Sequence, residues 1–247
     1  MKPSAVETQL LTRRFGSFTA VDKVTLSIST GETFGFLGAN GAGKTTTIRM
    51  LCGLLLPTEG QGTVAGFDIY RQSEQIKRTI GYMSQRFSLY SDLTGRENLN
   101  FYGAAYGLSR SHTRARINDL SDRLELGEFL DRPSKSLPTG WRQRLALGAA
   151  LLHEPRILFL DEPTGGVDPI FRRRFWSLLY DLAEEGVTIF VSTHYMDEAE
   201  YCDRISIMHL GRIVEVGKPF EIVAAHGQAN LEDTFIALIS GQDNSNA

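Results

Sequence analysis

This sequence of 247 residues is short of three things, and each shortage excludes a class of protein. Cysteine is scarce: Cys52 and Cys202 are the only two, and their spacing fits neither a metal knuckle nor a redox pair, so both read as free thiols in a reducing compartment. Long apolar runs are missing, since the greasiest stretch, 145–152, falls well below the ~20 residues that cross a bilayer. Residues 1–14 also lack the apolar core of a secretory signal, so any membrane role must come through a partner. Positive charge is not in excess: a net charge of −3 offers no basic footprint, and no nucleic-acid partner is expected. With 42% hydrophobic and 22% charged residues, what remains is a globular composition, long enough for one larger domain with a subdomain. No repeat is present, and only the polar tail, 241–247, reads as disordered.

Against that background one stretch stands out. Gly38-Ala39-Asn40-Gly41-Ala42-Gly43-Lys44-Thr45-Thr46 has the form GxxxxGK[ST] and directly follows the apolar run 33–37. Backbone N–H groups close around phosphate oxygens only where no Cβ intervenes, which is the use of Gly38, Gly41 and Gly43. Lys44 then reaches the β- and γ-phosphates, Thr45 ligates Mg²⁺, and a helix over 46–52 turns its positive end to the anion. An ordinary glycine-rich turn is the competing reading, and a strand before with a helix after decides against it.

The first third of the chain reads as short strands, 6–11, 24–28, 33–37 and 62–65, between Gly-rich turns. Residues 94–131 change character, with helical periodicity, the aromatics Phe101, Tyr102 and Tyr106, and an Arg-rich segment, and they read as a helical insertion. Helix (141–152), strand (157–160), helix (170–185), strand (187–192) and helix (195–202) then alternate, which argues for a parallel sheet covered on both faces. Asp168 and Pro169 supply a cap and a first-turn proline for the third of these elements, and Gly186 ends it.

Ile157 to Leu160 make a strand buried on both faces, and Asp161 and Glu162 emerge at its carboxyl end, where open α/β sheets place ligands. Asp161 suits Mg²⁺, and Glu162 suits a base or water-orienting group facing the γ-phosphate. The buried strand 187–193 delivers His194 to the same edge; on spacing alone that histidine is as readily structural as catalytic.

Together these residues carry a resemblance to the ATP-binding subunits of ABC transporters. It covers 10–239 through 38–46 (Walker A), 81–85 (the glutamine loop), Leu137-Pro138-Thr139-Gly140-Trp141-Arg142-Gln143-Arg144 (the signature position), 160–163 (Walker B), 164–168 (the D-loop) and 192–194 (the switch histidine). The resemblance implies an α/β P-loop NTPase fold with a mostly parallel core, an antiparallel β subdomain near the N-terminus and a helical insertion. Its divisions would be 1–86 with 145–225 for the catalytic core, 87–144 for the helical and signature part, and 226–247 for a C-terminal helix and tail. It assigns Gln85 to Mg²⁺ and the lytic water, His194 to the γ-phosphate, Glu162 to the base, and Phe15 to adenine stacking, although an aromatic at position 15 could equally be core.

The signature departs from Leu-Ser-Gly-Gly-Gln. Pro138 stands for the serine that meets the opposite subunit's γ-phosphate, and Trp141 for the glutamine. Gly140 remains, Thr139 offers a hydroxyl one residue later, and a helix beginning at Trp141 would present N–H donors. Similar Leu-Pro-x-Gly-aromatic signatures resemble the drug-efflux subgroup. The implied protein is an ATPase with ATP and Mg²⁺ as cofactors, working as a head-to-tail dimer with a second ABC ATPase subunit at the cytoplasmic face of the membrane. Its transmembrane permease subunit would enter a groove lined by Phe87, Leu89 and Tyr90, unless those side chains merely fill the helical part. A soluble ABC ATPase acting on ribosomes or DNA, or one half of a tandem ATPase, is the alternative.

Overall fold

The computed structural model describes residues 3–85 and 88–245, so Phe87 lies outside the described residues. The chain opens with a hairpin, β1 (Ser4–Phe15) and β2 (Phe18–Ser29), followed by the fully buried β3 (Thr33–Gly38). After the phosphate loop come α1 (Lys44–Leu51), β4 (Glu59–Val64), β5 (Phe67–Asp68), α2 (Ser73–Thr79) and β6 (Ile80–Met83). The insertion supplies α3 (Gly95–Ala105) and α4 (Arg110–Arg123). Thr94 and Glu97 form a reciprocal capping box on α3, and Ser109 caps α4 by accepting from His112 N–H.

The second half contains α5 (Thr139–Leu151), β7 (Ile157–Asp161), α6 (Pro169–Glu184), β8 (Thr188–Thr193) and the one-turn α7 (Met196–Ala199). Asp168 caps α6, its carboxylate accepting from the N–H groups of Ile170 and Phe171 at 3.0 and 3.1 Å, with Pro169 in the first turn. Beyond the expected elements the structure adds β9 (Arg204–His209), β10 (Arg212–Gly217) and α8 (Pro219–Ala225), and within 226–247, where a helix and tail were expected, it has α9 (Leu231–Ser245). The last corrects the expected disordered tail, because α9 runs on through 241–245.

Two sheets result. An antiparallel sheet has the order β2-β1-β4-β5, and a six-stranded sheet has the order β10-β9-β3-β8-β7-β6, parallel except for the β9/β10 hairpin. The period-two alternation of strand side chains separates their contents. Phe34, Phe36, Phe159 and Phe190 share one face, ring centroids 5.3 to 5.8 Å apart, and pack with Val24, Ile28 and α1 residues Ile48 and Leu51. Leu37, Leu158, Leu160, Ile189 and Val191 face the other way, onto α5 residues Leu145 and Leu147 and α6 residues Phe175, Trp176 and Leu179. The sheet is thus sandwiched between the antiparallel sheet with α1 and a layer of helices. α4 is tied to that layer by Arg116, which donates to the Leu151 and Leu152 carbonyls at the end of α5.

Candidate nucleotide site

Register fixes the site. Leu37 pairs with Thr193, Asp161 with Ser192, and Met83 with Leu160, so the phosphate loop, the Asp161-Glu162 pair, His194 and Gln85 leave four adjacent strands at one sheet edge. Asn40 and Gly41 are exposed, whereas Ala42 is buried, and Gly43 sits at φ +110° as the cap of α1, which begins at Lys44 with Thr45 and Thr46 in its first turn. A Cβ on Gly43 would come within 2.5 Å of the Ala20 carbonyl oxygen, so both the conformation and the packing at that position demand glycine.

Lys44 is 4% exposed and donates to the carbonyls of Gly38 and Ala39 at 2.7 and 3.1 Å. Its Nζ also lies 3.2 Å from Glu162 Oε1. Gln85 Nε2 donates to Glu162 Oε2 at 3.1 Å; His194 Nδ1 stands 3.2 Å from the same oxygen but is not aligned as a hydrogen bond. Glu162 itself holds φ +49°, a left-handed conformation uncommon for a residue with a side chain, and its N–H donates to Ser192, reaching Oγ and the carbonyl oxygen at 3.1 Å each. Outliers of this kind concentrate at functional sites, where surrounding contacts hold them.

Asp161 is buried, and its Oδ1 accepts from Ser192 Oγ at 2.7 Å and Thr45 Oγ1 at 3.1 Å, while Oδ2 has no partner. Burial raises its carboxyl above the usual carboxylate range, the two hydroxyl donors and Lys44 lower it, and the Glu162 charge raises it further. Burial, with Asp161 nearby, pushes the Cys52 thiol well above its ordinary value, and both cysteines are free and buried. Neither thiol is reactive in this state.

The signature segment differs from its expected form in one respect. α5 starts at Thr139, not Trp141, and the Trp141 N–H already donates to the Pro138 carbonyl at 3.0 Å. The first residues of the helix, Thr139 and Gly140, are the ones whose N–H groups have no acceptor a turn earlier within it. The Trp141 ring is stacked on Phe129 at 4.1 Å, edge-on to Phe171 at 5.8 Å, with the buried Arg144 guanidinium 4.9 Å from its centroid. Thr139 Oγ1 accepts from Arg142 at 3.2 Å.

A Cβ on Gly140 would sit 2.5 to 3.0 Å from the Phe171 ring. Gly140→Val is therefore expected to push α5 off α6 at a cost of about 1–3 kcal/mol, the range for overpacking. Circular-dichroism melting should fall by several degrees; an unshifted midpoint would mean that Phe171 yields freely.

Phe15 is not core. It is 46% exposed beside the hairpin turn, paired with Phe18, which sequence reasoning missed and which is 64% exposed; Arg13 lies 4.5 Å over the Phe15 ring. The hairpin is anchored to the phosphate loop through Gly211, whose N–H donates to Ala42 and whose carbonyl accepts from Asp22. Ser192 was also missed: nothing in sequence distinguishes a buried serine that binds an aspartate across two strands from any other. Of the groove residues, Leu89 lines a cleft of about 220 Å³ with Leu54, Tyr82, Tyr102 and Tyr106, whereas Tyr90 packs edge-on against Phe101 at 4.6 Å.

Comparison with known proteins agrees with this geometry. A family model described as ABC transporter matches residues 21–165. The chain is 44% identical over 245 residues to the "Probable multidrug ABC transporter ATP-binding protein YbhF" of Escherichia coli (strain K12), covering 97% of this chain and 42% of that protein. The chain therefore spans less than half the length of that relative. Among solved structures, one titled "Structure of ATP binding subunit of ABC transporter" superposes with a TM-score of 0.85 at 30% identity, covering 95% of this chain and 99% of the other. A dimeric ATP-binding cassette in a post-hydrolysis state bound to ADP and Pi gives 0.79 at 27% identity, covering 86% and 98%. With its phosphate loop, paired carboxylates and histidine at one sheet edge, and a family match over more than half its length, this chain belongs to the ABC transporter family.

Proposed function

We propose that the chain is the ATP-binding and ATP-hydrolysing subunit of a membrane exporter, which it drives through ATP-dependent closure of a dimer. The observation that supports this best is the convergence of Lys44, Gln85 and His194 within 3.2 Å of one carboxylate, that of Glu162, beside a glycine-lined phosphate loop. Lys44 takes the β- and γ-phosphates, Glu162 orients the attacking water and accepts its proton, and His194 faces the γ-phosphate.

The residues present fit Mg²⁺. Thr45 and Asp161 lie 3.1 Å apart, the buried Asp161 Oδ2 lacks a protein partner, and Gln85 bonds the adjacent Glu162 at 3.1 Å. Among the described residues there is no group of three or more His, Cys, Asp or Glu that could cage a metal, which suits an ion bound through one or two protein oxygens and the substrate's phosphates. When bound, the ion neutralises developing charge on the phosphates. Phe15, half exposed beside the β1/β2 turn, stacks on adenine. Thr139 and Gly140 turn the start of α5 toward the nucleotide of the second subunit, and Trp141 serves by packing rather than by donating.

The second subunit is another ABC ATPase chain, a reading supported by the dimeric cassette with ADP and Pi. The cleft lined by Leu54, Leu89 and Tyr102 receives the permease, so the chain sits peripherally at the cytoplasmic face; among its described residues no helix is long and apolar enough to cross a membrane. The same reading divides the chain into 1–86 with 145–225 as the ATP core, 87–144 as the helical part and 226–247 as the C-terminal part. The name of the E. coli relative supports multidrug substrates. The test is purification of the tagged chain from detergent-solubilised membranes: Mg-ATP hydrolysis and co-elution with a polytopic membrane protein are expected. Co-sedimentation with ribosomes, and none with such a protein, would overturn the reading.

A further inference from the structure

Glu198, at 0% exposure, is more buried than any other acid among the described residues, and none of the steps above uses it. An ionised carboxylate in such a place costs several kcal/mol unless its oxygens are met. They are met from two turns of the site. Oε1 accepts from Thr164 Oγ1 and lies 3.3 Å from Arg172 Nε, and Oε2 accepts from Thr193 Oγ1 at 2.7 Å. Thr164 lies two residues after Glu162, and Thr193 immediately precedes His194.

The same block is clamped from α6. Arg172 reaches Asp197 at 3.1 Å and lies 4.1 Å over the Tyr195 ring, which in turn sits 4.2 Å from the His194 ring. Tyr195 N–H donates to Thr193 Oγ1 at 2.9 Å, so that hydroxyl is oriented from both sides. Helix α7 is one turn long and needs no buried acid for its own stability. What the carboxylate joins is the turn after β7 and the turn after β8.

We propose that Glu198 is a positioning residue: by holding Thr164 and Thr193 on one carboxylate it sets the His194 turn against Glu162, and it passes any displacement of the 164–168 turn to His194. Its consequence for turnover rests on the ATPase reading, but the linkage itself does not. A shift of about 1 Å in a group that contacts reacting atoms costs up to ~100-fold in rate, so breaking the link is felt in turnover rather than in binding.

The test uses Thr164→Val and Glu198→Gln in the full chain. Each should lower kcat about tenfold, corrected for active fraction by nucleotide-binding stoichiometry, with KM for ATP within about threefold of the parent. The second readout is the imidazole carbon–proton spectrum, in which five histidines are resolved and His194 is assigned by His194→Gln. The His194 signal should move in both variants while that of His153, which bonds the Ile80 carbonyl elsewhere in the fold, stays in place. A His194 signal unmoved in both variants, or a parental kcat per active site in both, overturns the proposal. If the parent itself hydrolyses no Mg-ATP, the functional reading fails separately, and the His194 signal still decides the linkage.

Discussion

Lys44→Ala removes ATP turnover and weakens ATP binding by at least about 100-fold. Charge-assisted hydrogen bonds are each worth roughly 1.5–3 kcal/mol, and Lys44 is placed to make them to two phosphates, so a loss of about 3–6 kcal/mol follows, or two to four orders of magnitude. The substitution acts on the nucleotide-free protein as well. Lys44 and the 9%-exposed Glu162 side chain form a buried ion pair at 3.2 Å, and removing one member of such a pair strands the other at a cost of about 3–5 kcal/mol. Titration calorimetry and thermal melting read the two effects, and the double variant Lys44→Ala, Glu162→Gln should regain much of the melting loss without regaining ATP affinity. Undiminished affinity in Lys44→Ala would reject the phosphate loop as the nucleotide site.

Glu162→Gln does the opposite with the same pocket. Lys44 keeps its bonds to the Gly38 and Ala39 carbonyls, and glutamine accepts the left-handed backbone at 162 no less readily than glutamate. What disappears is the anionic acceptor for the water's proton, a loss of about 100- to 10,000-fold in turnover. ATP then stays bound and unhydrolysed, and the chain accumulates as a dimer. Light scattering at saturating Mg-ATP should give twice the monomer mass; a monomer there would remove the composite, two-subunit site from the account.

Much of the site was legible because its residues are spaced by chemistry that tolerates little else. The buried runs of β3, β7 and β8 each end in groups that ligands need, and the structure brings Lys44, Asp161, Glu162, His194 and Gln85 together as that placement requires. Local polarity misled elsewhere. β9 mixes Arg204, Ser206 and His209 with Ile205 and Ile207, yet Ser206 is fully buried, so neither pure alternation nor a pure apolar run marks the strand. A helix expected from Trp141 begins at Thr139 directly after Pro138, because proline is tolerated where no helical N–H is required. α9 outlasts its apolar turns because helix extension adds a hydrogen bond for each residue fixed once a packed segment exists. Glu198 and Ser192 were invisible because their partners come from the pairing of β7 with β8 and the path of the chain after it, neither of which a single segment encodes.

The strand order has a practical consequence for dissecting this chain. β8 lies between β3 and β7, although it follows both in sequence by many residues, and β9 closes the other side of β3. A fragment cut to the segment 21–165 would keep β3 and β7 without the strand that joins them, leaving two rows of backbone donors and acceptors facing a gap. It would also lack β1 and the Phe190 ring on which Phe34, Phe36 and Phe159 converge. The family-model match ends at residue 165, but a folding unit cannot, and any truncated version made for biochemistry must run at least from β1 through β9 to keep its sheet continuous.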